Sequence, residues 1–152
     1  MRALISILII AAAIGAAGCA TSETSDYDKV TLDAIGTTQQ RLNVLDQRIA
    51  ANRLQTDDDF DLYVNDMRSA AVEFDTLRGT LQRLTLPAEA RDEMTAYMSQ
   101  LETTAELARE LANAVEVEDT KGAQRAETAY VEAGERLSTL AVDVNQALSS
   151  AS

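Results

Sequence analysis

The chain has 152 residues, with 13 basic and 25 acidic side chains and a formal charge of −12. With one Cys and neither His nor Trp, it excludes an intramolecular disulfide, Cys/His zinc sites and histidine-based acid–base or nucleophile–base pairs. The acidity argues against nucleic acid, whose phosphates need a patch of Lys and Arg, and against a domain held to anionic lipid by charge.

The N-terminal stretch differs in character from the rest and is set aside before fold reasoning. Met1 and Arg2 form a short positive start, and Ala3 to Ala17 runs apolar apart from Ser6 and Gly15. That run is short of the roughly 18–20 residues a spanning helix needs, and small residues follow it. Residues 1–18 therefore read as a signal peptide, with a short uncleaved anchor as the alternative. Ala16, Ala17, Gly18 and Cys19 close the segment. They resemble the lipobox of prokaryotic lipoproteins, with Ala16 where Leu is usual. The resemblance implies diacylglycerol on the Cys19 sulfur and cleavage between Gly18 and Cys19. Two acyl chains give a stable anchor where one gives a marginal one. An ordinary signal peptide with an incidental Cys is the competing reading.

Removal of residues 1–18 takes away Arg2 and leaves 12 basic against 25 acidic side chains, a formal charge of −13. Lys29 and Lys121 are the only lysines, a bias that suits a salt-rich environment or a GC-rich genome. Residues 19–27 read as the lipidated Cys and a polar tether able to reach roughly 30 Å at about 3.3 Å per residue.

Residues 28–150 read as one helical domain. A first helix is predicted from about Tyr27 to Gln55, with Ser25 as cap and Asp28 completing a capping box. Its stripe is Ile35, Leu42 and Ile49, with Leu45 and either Ala51 or Leu54 alongside, and Thr38 and Asn52 put polar groups in the seam. A second is predicted from about Asp57 to Leu84, capped by Thr56, with Asp57, Asp58 and Asp59 at the positive end of the helix dipole. Phe60, Met67, Phe74 and Leu81 form its seam, with Val64, Ala71, Leu77 and Leu84 between them. Pro87 marks the next turn. The third helix is predicted from about Pro87 to Val117, on Met94, Leu101, Ala108 and Val115, joined by Tyr97 or Met98, Ala105 and Leu111. The fourth, capped by Asp119, is predicted from about Thr120 to Leu148, with Ala123, Tyr130, Leu137 and Val144 beside Ala126, Ala133, Leu140 and Ala147.

Sustained seven-residue spacing implies near-parallel, left-handed packing, and short connections make neighbours antiparallel. The expected fold is all-α: an antiparallel up-down-up-down four-helix bundle after the signal peptide. A three-helix core with a loosely docked first helix is the main alternative. In pattern, residues 28–150 resemble the small helical-bundle lipoproteins of bacteria and archaea, a resemblance that implies no activity.

Candidate chemistry is thin. Asp57, Asp58, Asp59 and Asp61 suggest a calcium loop, but the sixth and twelfth positions hold Leu62 and Arg68 where an EF-hand needs Gly and Glu. A carboxylate-bridged metal pair would need acids on the inner seams, which read as Leu, Ala, Ile, Met, Phe and Tyr. Met67, Met94 and Met98 have soft-metal character but fit core packing better. Tyr63, Tyr97 and Tyr130 either line a small central pocket or sit partly in the core with hydroxyls at the surface. No catalytic residue, metal site or cofactor is expected. The expectation is a non-catalytic, lipid-anchored module on the extracytoplasmic face of a cell membrane or envelope. It would dock an envelope protein or play a structural part, and a small-ligand binding or sensing module is the alternative.

Overall fold

The structure, a computed structural model, describes residues 26–51, 56–85 and 87–150. Among these, all regular structure is helical: α1 (Asp26–Ala51), α2 (Asp57–Leu81), a 3-10 turn (Ala88–Ala90), α3 (Arg91–Glu116) and α4 (Thr120–Ser150). Signal peptide, cleavage site, Cys19 and the Ser25 cap lie outside the described residues, as do Asn52 and Leu54. Helix α1 begins at Asp26, inside the stretch read as tether.

Local chemistry sets the helix ends. The Thr56 hydroxyl accepts from the Asp59 N–H, and the Asp59 carboxylate accepts from the Thr56 N–H at 3.0 Å. This box satisfies two donors that the start of α2 leaves open. At the other end α2 stops at Leu81, three residues before the predicted end, and a tightened turn carries the chain on through Gln82 and Arg83. Pro87 is extended, and a 3-10 turn precedes α3, so α3 starts at Arg91 rather than at the proline. Helix α3 closes with the Asp119 N–H on the Ala114 carbonyl and the Glu118 N–H on that of Val115, the two bonds of a Schellman ending. Glu118 takes the left-handed conformation (φ 56°) there, without being glycine. Asp119 then caps α4 through the Gly122 N–H at 3.0 Å.

The four helices pack against one another. Helix α2 lies along α3 and α3 along α4, while α1 rests on α2 over a smaller area. Among the described residues no comparable contact joins α1 to α3 or α4. The core follows the predicted seams: Ile35, Leu45 and Ile49 from α1; Val64, Met67, Ala71, Phe74, Leu77 and Leu81 from α2; Met94, Leu101, Ala105, Ala108 and Leu111 from α3; Ala126, Ala133, Leu137 and Val144 from α4. Met98, Val115, Tyr130 and Leu140 pack at its edge.

Phe60 departs from its expected place and is 42% exposed. The ion pairs explain why. Arg41 pairs with Glu73 and Arg48 with Asp66, and across the other flank of α2 Arg68 pairs with Glu116 and Arg78 with Glu102. Carried along to Phe60, that register runs past the described part of α1, which reaches Ala51, and past the end of α3 at Glu116.

Candidate functional site

The polar groups that require explanation lie inside the helix packing. Asp66, on the face of α2 that meets α1, is 1% exposed. Its Oδ1 accepts from Nη2 of Arg48 on α1, and its buried Oδ2 has no partner. Burial pushes the Asp66 carboxyl above the usual range, and the nearby Arg48 guanidinium only partly opposes that. Arg48 itself is half exposed, so the pair has one wet and one dry member.

Tyr63 lies one helical turn before Asp66 and is 2% exposed. Burial drives its phenol far above the ordinary tyrosine range, and the charge of Glu127 on α4 adds to the effect. Glu127 has a buried, unpartnered Oε1, and burial raises its carboxyl too. Glu127 of α4 thus sets an acid beside the Tyr63 phenol of α2. At the start of α3, Glu93 has a buried Oε2 without a partner. Further along, the Gln100 side-chain amide of α3 donates to the Ala133 carbonyl of α4 at 3.1 Å, and the fully buried Thr104 hydroxyl donates to the Gln100 carbonyl.

These positions correct two expectations. The seams were read as free of acids, yet Asp66 is as buried as its neighbour Met67. Of the two readings of the tyrosines, hydroxyls at the surface fails for Tyr63 and Tyr97, which are closed off from solvent, and burial alone drives Tyr97 far up as well. Only Tyr130 is half-buried. A signal for Asp66 was present in the sequence. Arg41 and Arg48 each precede a seam residue of α1, and Asp66 and Glu73 each precede one of α2. Opposite charges at such flanking positions pair across helices. Gln100 and Glu127 had no comparable mark.

Met67 and Met94 are core residues, with Met98 partly buried beside them. Thr38 is buried in the α1 stripe as expected. Among the described residues no group of three or more His, Cys, Asp or Glu could hold a metal ion. A shallow depression of about 570 Å³ runs past Lys121, Arg125, Thr128 and Glu132 on α4. Its mixed charges form no convergent polar set.

Comparison of the chain with protein-family models, with curated proteins and with solved structures finds no match.

Proposed function

We propose that this chain is a membrane-anchored extracytoplasmic lipoprotein, held by lipid on Cys19 after cleavage behind Gly18, whose helical bundle is a non-catalytic docking or structural module for another envelope protein. The observation that carries the reading is the sole cysteine placed at the end of an apolar leader, behind Ala16, Ala17 and Gly18. Within the described residues no helix is long and apolar enough to cross a membrane. Attachment through the N-terminal segment is then the economical route to a membrane.

The same reading takes the domain as an up-down-up-down bundle. Pairing of residues 41 with 73 and 48 with 66, then of 68 with 116 and 78 with 102, supports opposed directions for successive helices. The side-chain bond from Gln100 to Ala133 ties α3 to α4. The ligand-binding alternative takes second place because Tyr63 and Tyr97 are shut inside, and a small molecule there would need the helices to part.

Crosslinking in gently solubilised membranes, read by mass spectrometry beside a Cys19→Ala control, tests the proposal. A defined envelope partner captured only with the unmodified chain supports it. Equal recovery of both forms in the soluble fraction sinks the anchor, and a membrane-bound chain with no enriched neighbour sinks the docking role.

A further inference from the structure

Among the described residues helix α1 has the least extensive hold on its neighbour. It rests on α2 over a smaller area than α2 on α3 or α3 on α4, and its described buried apolar residues are Ile35, Leu45 and Ile49, with Thr38 among them. Two ion pairs bridge it to α2, Arg41 to Glu73 and Arg48 to Asp66, and both arginine side chains are more than half exposed, at 58% and 51%. Beneath it lies Asp66 with one oxygen that nothing satisfies.

We propose that α1 is a detachable cover that leaves α2 as a unit while α2, α3 and α4 stay packed, and that a proton taken up by Asp66 closes it. In the closed form an ionised Asp66 is stripped of water on Oδ2 with no hydrogen bond in return, which is costly for a carboxylate. When α1 leaves, that oxygen is hydrated, and the half-exposed Arg48 loses little because it is already in water. The ionised acid therefore favours opening and the neutral acid favours closure. The raised Asp66 carboxyl agrees in direction.

The charges around Asp66 keep this sign. Helix α1 presents Arg48, which opposes the effect only in part. Tyr63 lies on Asp66's own helix, and Glu127 of α4 acts on Tyr63, its carboxyl raised by burial in the same direction. On the α3 flank of α2, Arg68 with Glu116 and Asp75 with Arg109 are matched pairs. The device does not depend on lipid at Cys19.

Hydrogen exchange of the full chain, followed by mass spectrometry and corrected for intrinsic rates, tests it. Amides of α1 should exchange at least about tenfold faster than those of α3 and α4, by a sub-global opening. The α1 advantage should shrink as pH falls from neutral toward the carboxylate range, where Asp66, its carboxyl raised by burial, gains its proton. In Asp66→Asn, α1 should open less and its pH response should disappear. Exchange of α1 in step with α3 and α4 overturns the proposal, and so does an unchanged pH response in the variant. Trypsin gives a reading that needs no variant. Cleavage after Arg41 and Arg48 should precede cleavage after Arg109 and Arg125, and simultaneous cleavage at all four overturns the cover.

Discussion

Arg48 of α1 donates to Asp66 of α2 across the interface between the two helices, and the acid is buried while the base is half in water. This unequal pair determines the sign of the first two predictions.

Arg48→Ala leaves the buried carboxylate without its counter-charge. At neutral pH the variant should lose roughly 1–3 kcal/mol, less than for a fully buried pair because Arg48 is exposed. Asp66→Asn should act in the opposite direction. Burial outweighs Arg48 and raises the Asp66 carboxyl, so its ionised form is less favourable in the folded chain than in the unfolded one, a cost that Asn does not carry. Its denaturation midpoint at neutral pH should rise. Urea melts of both variants decide this, and a fall in Asp66→Asn would show that the ion pair outweighs desolvation.

Stability should increase on mild acidification. Asp66 and Glu127 both have raised carboxyls in the folded chain. Their contribution is fully present below the ordinary carboxylate range and is lost as pH rises through the raised values. The thermal midpoint should therefore be higher just above the ordinary carboxylate range than at neutral pH. Self-repulsion at a net charge of −12 acts in the same direction, but salt screens it. Melts of Asp66→Asn with Glu127→Gln in high salt separate the two, and should be nearly flat over this window.

Two helix glycines should respond differently to alanine. A Cβ at Gly79 meets nothing within 4 Å, so Gly79→Ala should stabilise by roughly 0.5–1 kcal/mol. A Cβ at Gly122 collides with the Asp119 carboxylate that caps α4. The carboxylate must swing away and give up a cap worth about 1 kcal/mol, which cancels the propensity gain. Thermal melts of the two single variants check the contrast.

Gln100→Ala removes the buried side-chain bond between α3 and α4 and leaves a small void. A loss of roughly 1–2 kcal/mol is expected. Gln100→Leu retains most of the volume, so comparing the two in urea separates packing from the hydrogen bond.

Much of the fold was legible in the chain because it is local. Thr56 with Asp59, Asp119 with Gly122, and the turn at Pro87 each act through backbone groups a few residues away, so the pattern alone located the helix ends to within a few residues. The apolar stripes were legible for the same reason, since a seven-residue repeat fixes one face of each helix. Burial of Asp66 and of the Glu127 Oε1, closure of Tyr63 and exposure of Phe60 were decided only in three dimensions. Each depends on which helix lies opposite and where that helix ends. The order of residues along one helix does not contain this, because desolvation is set by the atoms of a neighbouring helix.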